Sequence, residues 1–281
     1  MFKTYSTDFL LLAFLFVFAA SASGQKISVE NIVAKHLDSI AGADARAAVK
    51  TRVLEGKVQA RTTLNSGSLI KGKTVLASDA ERTALQMSFD FVDYTGENIN
   101  FDGKTVNAAF ATTDRRSALG SFTYNFSEIV KGGFFGGALL SSWALIDADK
   151  KISKSFYEGK EKIGDREVYV LRVVPRNGST LNIKMYFDVQ SFRHLRTRYH
   201  LSQYRSPLIS SEVSSRQSET RYLLIEDFSD FKSVNDLTLP TTYKVTYTLD
   251  TYENSQEFEW VLNFSRFAFN SALKPQLFAF K

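Results

Sequence analysis

From about residue 52 to 267 apolar residues recur at every second position, and this alternation decides what the chain can become. Leu54, Gly56, Val58 and Ala60 fall on one side of a first strand, with Val53, Glu55, Lys57, Gln59 and Arg61 on the other. The same pattern returns in Leu85/Met87/Phe89, Leu181/Ile183/Met185/Phe187, Tyr243/Val245/Tyr247/Leu249 and Phe258/Trp260/Leu262/Phe264, each opposed by a mostly polar row. Successive side chains of a strand point to opposite faces, so strands of this kind belong to antiparallel sheets that are wet on one side only. Turn signals punctuate them: Asn65-Ser66-Gly67, Asp102-Gly103, Ile163-Gly164-Asp165, Arg176-Asn177-Gly178 and Ser233-Val234-Asn235-Asp236. About a dozen strands are expected within 52–111 and 153–267. No internal repeat and no linker rich in Pro, Gly or Ser interrupts them, so residues 25–281 read as one domain.

Two stretches depart from this period. Val29, Ile32, Val33, His36, Leu37 and Ile40 form one helical stripe, with Ser28 as N-cap and Gly42 as the closing C′ residue. A short helical piece over Asp44–Lys50 follows. From Asp114 to Asp147 the alternation stops; Ser127–Lys131 has a helical pattern, and the glycine pairs Gly132-Gly133 and Gly136-Gly137 flank Phe134-Phe135. Each glycine weakens a helix by roughly 1 kcal/mol against alanine. A mobile hinge and an ordinary crossover helix are both compatible with that composition.

Residues 1–24 read as a cleavable secretory signal, with Lys3 in the n-region, the apolar run Phe9–Ala20 and a small-x-small site at Ala20-Ser21-Ala22 or Ala22-Ser23-Gly24. The run is about 12 residues, short of the roughly 20 that span a bilayer, so the mature chain is expected in the periplasm and not as a transmembrane protein. Cys is absent, which excludes a disulfide framework, thiolate metal sites, a thiol nucleophile and diacylation after the signal. The net charge of +5 has no run of five or more basic residues behind it, so a mildly basic solvated surface is expected and nucleic acid is not a partner.

Enzyme signatures are missing. There is no G-x-S-x-G elbow and no phosphate-binding glycine loop. Ser68-Leu69-Ile70-Lys71 matches S-x-x-K without its companion motifs. His36, His194 and His200 are scattered, and His36 on an apolar helix face reads as a core residue, not a metal ligand. Asp188, Asp227 and Asp230 sit at strand ends, where Asp makes turns, and the inward rows offer almost no acid pairs. No cofactor, metal or catalytic residue is expected. The sequons at Asn125, Asn177 and Asn263 are at the level of chance.

A dozen strands at about 4.8 Å spacing would make a flat sheet more than 50 Å across, while a helix is only about 10 Å wide. Two helical covers cannot mask that area, so the sheet must curl into a barrel or half-barrel around them. Its inner face would carry Phe, Tyr, Leu and Met, which is a use for the 24 phenylalanines of the chain beyond the five in the leader.

At this point the chain resembles the LolA/LolB family of periplasmic lipoprotein carriers and its lipid-binding relatives. The order of parts is similar: signal, amphipathic helix, strands, central helical lid, strands. The segment Phe156-Tyr157-Glu158-Gly159-Lys160-Glu161-Lys162-Ile163-Gly164-Asp165-Arg166-Glu167-Val168-Tyr169-Val170-Leu171-Arg172-Val173 resembles the family's central hairpins, as do Met185-Tyr186-Phe187-Asp188 and Leu195-Arg196-Thr197. Phe228-Ser229-Asp230-Phe231 with Leu239-Pro240 resembles the later strands. The resemblance covers most of the mature chain through loose fold signatures.

It implies a mainly β fold: a single antiparallel sheet curled into an unclosed barrel, its concave face covered by the N-terminal helix and by a central helical lid over 114–147. It also implies acyl chains of lipids or lipoproteins as cargo, and a membrane-bound donor or acceptor protein as partner. By position Phe134, Phe135, Leu139, Leu140 and Trp143 would form the lid, and Arg52 is the candidate for the family's cavity arginine. Leu54, Val58, Leu85, Met87, Phe89, Phe101, Ile183, Met185, Tyr247, Trp260 and Leu262 are then expected to line the cavity of a non-enzymatic, monomeric carrier or sensor. The alternative is an interaction or structural protein whose half-barrel is filled by its own side chains.

Overall fold

The computed structural model describes residues 27–62, 68–111, 115–205 and 218–278. The signal at 1–24 and the turn at Asn65-Ser66-Gly67 lie outside these residues. Twelve strands form one antiparallel sheet. The first five are β1 (Arg52–Thr62), β2 (Leu69–Ser78), β3 (Thr83–Phe89), β4 (Gly96–Phe101) and β5 (Val106–Phe110). The others are β6 (Ile152–Ile163), β7 (Arg166–Pro175), β8 (Asn182–Asp188), β9 (His194–Arg205), β10 (Ser218–Val234), β11 (Leu237–Asp250) and β12 (Ser255–Phe269).

Their order is β5-β4-β3-β2-β1-β12-β11-β10-β9-β8-β7-β6, so the sheet is two meanders joined where β1 pairs with β12. It does not close: β5 and β6 are its free edges. The seam runs Val58↔Leu262 and Ala60↔Trp260, with a bulge at Glu55/Gly56 that leaves Ser265 unmatched on β12. Such a bulge bends the strand and increases its twist, which helps to curl a sheet of this width. Gly56 is required there, since a Cβ on it would lie 2.0 Å from the Asn263 carbonyl oxygen.

The helices are α1 (Val29–Ile40), α2 (Ala43–Ala48), α3 (Ala118–Asn125), α4 (Glu128–Lys131) and α5 (Ala148–Lys151). Ser28 caps α1 by accepting from the Asn31 N–H at 3.2 Å, and Ile32, His36 and Ile40 carry its buried stripe. Gly42 does not close α1 in a left-handed conformation: its φ is −59°, and it is the N-cap of α2. The Arg46 guanidinium closes α1 instead, donating to the Leu37 carbonyl at 2.7 Å and to the Ala41 carbonyl. A side-chain donor on those carbonyls removes the need for a glycine turn.

The expected inward rows are the buried ones, and together with Ile32, Ile40 and the central segment they make one core. Smaller clusters sit on the outer face, one from Val168, Val170, Tyr186 and Leu195, another from Ala77, Ala84 and Phe278. Because β5 and β6 are opposite edges, the connection between them must cross the mouth of the half-barrel. That connection is 115–151, and α3, α4, a 3₁₀ turn (Gly137–Leu139) and α5 lie along it. Only its first part is regularly helical; 132–147 is mostly turns and not an ordinary crossover helix.

The seam gives a direct test. Gly56→Ala should lower stability by about 3 kcal/mol, or roughly 6–10 °C in melting temperature, because the added methyl meets backbone. Gly42→Ala, where nothing lies within 4 Å of the new Cβ, should leave melting unchanged or slightly raised. Equal melting of the two variants would contradict the seam geometry.

Candidate functional site

The inner face of the half-barrel and the segment across it form the candidate site. Of the expected lining residues, Leu54, Val58, Leu85, Met87, Ile183, Met185, Tyr247, Trp260 and Leu262 are buried at 2% exposure or less; Phe89 is also buried, and Phe101 packs half-buried against the same core. The expected lid residues Phe134, Phe135, Leu139, Leu140 and Trp143 lie within that cluster, equally enclosed. The segment between β5 and β6 therefore has these apolar side chains packed into the core on the concave face.

Its course is set by glycine. Gly133, Gly136 and Gly137 have φ of +69°, +96° and +53°, in the region where a side chain is strained. Gly133 also passes so close to Ser142 that a Cβ would sit 1.9 Å from the Ser142 carbonyl oxygen, and Ala144 N–H donates back to the Gly133 carbonyl at 3.0 Å. The segment 133–144 is thus a loop tied to itself at its neck. Gly137 presses against Phe228 and His194, again leaving no room for a Cβ.

A chain of turns cannot satisfy its own backbone as a helix does, and a buried peptide group without a partner is costly. The sheet and α5 supply the partners. Gly136 N–H donates to Glu226 Oε1 at 2.6 Å, and the Ala138 carbonyl accepts from the Arg52 guanidinium at 2.6 Å. Ser141 N–H donates to Ser78 Oγ at 2.9 Å, and the Ser142 carbonyl accepts from Lys151 Nζ at 2.5 Å. Trp143 adds a side-chain anchor. Its Nε1–H donates to His36 Nε2 at 3.1 Å, and its ring stacks on His194 with centroids 5.0 Å apart. Since His36 Nε2 accepts, Nδ1 carries the proton and donates to the Phe192 carbonyl at 3.1 Å.

Two buried glutamates stand on the inner face, where the alternation promised almost no acid. Glu226 on β10 accepts from Tyr199 at 2.6 Å and Tyr243 at 2.5 Å besides Gly136. Glu97 on β4 accepts from Tyr94 at 2.6 Å and from Ser117, the N-cap of α3, at 2.5 Å, and Trp260 donates to the Tyr94 hydroxyl at 2.7 Å. Burial raises both carboxyls to about 7, against the opposing pull of their hydrogen bonds. Burial likewise holds His36 down at about 4 and His194 well below the ordinary imidazole range.

These side chains were visible in the sequence as single polar residues in apolar rows, Glu97 before Ile99 and Phe101, Glu226 between Leu224 and Phe228. Five strands separate β4 from β10, and each carboxyl is occupied by its own hydroxyl donors, so the two do not act as a pair. Among the described residues no group of three or more His, Asp or Glu could hold a metal ion, and no helix is long and apolar enough to cross a membrane.

Two clefts open beside the lid. One, of about 570 Å³, runs between α1 and β6–β7 and is lined by Val29, Val33, Leu37, Leu145, Leu171 and Val173 among others. The other, of about 670 Å³, lies at the start of β1; Lys50, Thr51, Arg52, Arg82, Ser141 and Asp147 are among its walls. Arg52 is the one expected site residue that reaches either cleft.

No protein-family model matches the chain, and no curated protein matches it. Several solved structures are similar to it. The LolA superfamily protein NE2245 from Nitrosomonas europaea is 16% identical, with 90% of this chain and 98% of that one covered at a TM-score of 0.47. A domain from Vibrio parahaemolyticus named for outer membrane lipoprotein sorting is 16% identical over 88% of this chain and 97% of its own, with a TM-score of 0.45. The Mycobacterium tuberculosis lipoprotein LppX is 10% identical over 88% and 99%, with a TM-score of 0.26.

The buried carboxyl of Glu226 makes stability depend on pH. Its folded value of about 7 lies above the ordinary 4.5, so between these values the folded chain holds a proton that the unfolded chain has released. Stability therefore falls as pH rises through that window, by up to about 3 kcal/mol. His36, lowered from 6.5 to about 4, acts in the opposite sense and costs stability as pH falls below 6.5. Glu226→Gln removes only the first effect. Compared with the parent chain in denaturant melts, the variant should gain about 2–3 kcal/mol between pH 5 and pH 8. A gap that does not change with pH would exclude Glu226 as the titrating group.

Proposed function

We propose that this protein is a non-enzymatic carrier or sensor that binds acyl chains of lipids or lipoproteins on the inner face of its half-barrel. It would be exported to the periplasm by the signal at 1–24. One observation carries the reading: the apolar inner face of a twelve-stranded sheet is covered by a segment jointed at glycines and fastened through a few polar contacts. Lifting 133–144 would free the volume on the inner face that Phe134, Phe135, Leu139, Leu140 and Trp143 now fill. A chain of 16 carbons buried there gains roughly 13 kcal/mol gross, at about 0.8 kcal/mol per methylene, before ordering costs.

The closed half-barrel is the resting form in this reading, and ligand shifts it towards the open form by binding only there. The absence of nucleophile-elbow and phosphate-loop motifs from the sequence, and the occupation of both inner carboxyls by tyrosine and serine hydroxyls, favour binding over catalysis. A membrane-bound donor or acceptor of the acylated cargo belongs to the same proposal.

A second reading is favoured by one fact. The lid side chains are as enclosed as any in the core, with Phe134, Leu139, Leu140 and Trp143 at 0% exposure. In that reading the half-barrel is permanently self-filled and the protein serves as an interaction or structural module.

Native mass spectrometry of the protein purified from an envelope extract separates the two. The carrier reading expects bound acyl lipid, and a rise in melting temperature when acyl ligand is returned to the stripped protein. The chain has two tryptophans, Trp143 in the lid and Trp260 on the sheet, both buried. Their emission should shift to the red as Trp143 leaves the core. Lipid-free protein, unchanged melting and unchanged emission would favour the self-filled module.

A further inference from the structure

Trp143 is tied to the rest of the molecule through two buried histidines. His36 on α1 and His194 on β9 are each 1% exposed, with ring centroids 6.0 Å apart. The Trp143 indole N–H donates to His36 Nε2 at 3.1 Å, and its ring stacks on His194 at an angle of 26°. Phe187 and Phe228 close the cluster, with centroids 5.0 Å from His36 and 4.7 Å from His194 respectively.

These contacts require neutral imidazoles. An indole can only donate, so His36 Nε2 must offer a lone pair, while Nδ1 already donates to the Phe192 carbonyl at 3.1 Å. A proton on Nε2 would set two N–H groups head to head. His194 is no better placed to take it. Its Nε2 lies 2.9 Å from the Arg196 carbonyl and from Thr197 Oγ1, so that nitrogen carries the hydrogen, and Nδ1 is buried without a partner. A proton there would be a buried N–H pressed against Gly137.

Among the described residues no anion offsets a positive charge on His36. Arg46 on α2 repels it, and on α1 itself Lys35 lies over the Phe192 ring. The segment 133–144 brings Trp143, β8 brings Phe187, and the turn before β9 brings the Phe192 carbonyl. β6 and β11, which also pack against α1, contribute no buried charge. On β10 Phe228 faces His194, and the Glu226 carboxyl is taken by Tyr199, Tyr243 and the Gly136 N–H. Burial keeps both imidazoles below their ordinary range, His36 at about 4. The other points that hold the segment, at Gly136, Ala138 and Ser141, use a carboxyl, a guanidinium and a hydroxyl. None of these becomes charged as pH falls.

We propose that His36 and Trp143 form an acid-released clasp: a proton on His36 parts Trp143 from α1 and frees that end of 133–144 against the stacking of His194, while Gly136, Ala138 and Ser141 keep their partners. The clasp stands whether or not the half-barrel binds acyl chains.

The test is an acid titration of the full-length protein without added lipid, read by tryptophan emission, far-ultraviolet circular dichroism and the two indole N–H resonances. Between pH 6.5 and about 4 the emission should shift to the red and the Trp143 indole resonance should move, reversibly and with the strand signal unchanged. The Trp260 indole, which donates to Tyr94, should stay in place. His36→Gln keeps an acceptor for the indole but cannot titrate, so it should lower the midpoint by about one pH unit or more. His194→Gln removes the stacked ring and should keep the transition at a higher midpoint. A transition that is the same in His36→Gln, one that is lost only in His194→Gln, or none before the strand signal collapses overturns the proposal. If His36→Gln does not fold, the imidazole resonances of the parent chain decide: His36 titrating while the Trp143 indole stays fixed overturns it. Lipid binding at neutral pH, which decides the acyl-carrier reading, is a separate measurement and is untouched by these results.

Discussion

Everything in this molecule follows from where its two free edges are. The chain builds β1 to β5 outwards in one direction and β6 to β12 back inwards from the other, so that β1 and β12 meet at the centre. Ending one meander at an edge and starting the next at the opposite edge leaves a gap that a single segment must bridge. The bridge cannot run along the outer face, where strands present polar rows, without stranding its apolar side chains in water. It crosses the inner face instead, and the sheet curls around it. Core, cover and opening are therefore three views of one connection.

That arrangement was legible in part. Period-2 alternation fixed which residues face inward at Leu85, Met87, Ile183, Tyr247 and Leu262, because one slip in register would turn each row outward. The amphipathic stripe and cap of α1 were legible for the same reason, local geometry repeating in the side chains. What the alternation could not convey was the meaning of single exceptions to it. Glu97, Arg52, Ser78 and Glu226 occupy inward positions and look like lapses in an apolar row until the partner is known. Apart from Tyr94, three residues before Glu97, their partners are far along the chain, 90 residues between Gly136 and Glu226 and 86 between Arg52 and Ala138, and no local pattern reports a contact at that separation. Gly42 failed differently: it carries a C′ signal, but Arg46 already occupies the carbonyls that the signal would have served.

The exceptions form a set once the lid is considered as a backbone and not as a row of side chains. A helix laid across the barrel would satisfy its own peptide groups and ask nothing polar of the sheet. The segment from Gly132 to Asp147 is turns, and each turn leaves peptide N–H or C=O groups facing an apolar interior. Glu226, Arg52, Ser78 and Lys151 each answer one of them. Three of these answers come from strands of the sheet and one, Lys151, from α5 at the end of the connection itself.

This choice bears on how the cover could leave. A helix that lifts away keeps its hydrogen bonds, so its hold on a barrel is apolar contact alone, which grades smoothly with area. A turn-built cover is held at discrete polar points, and on lifting each point parts a group of the cover from its partner. Of the partners in the sheet, Glu226 keeps the Tyr199 and Tyr243 hydroxyls as donors, and Arg52 borders a cleft at the start of β1. Parting such a cover from the sheet therefore costs its apolar contacts and, at a few fixed points, the exchange of one polar partner for another.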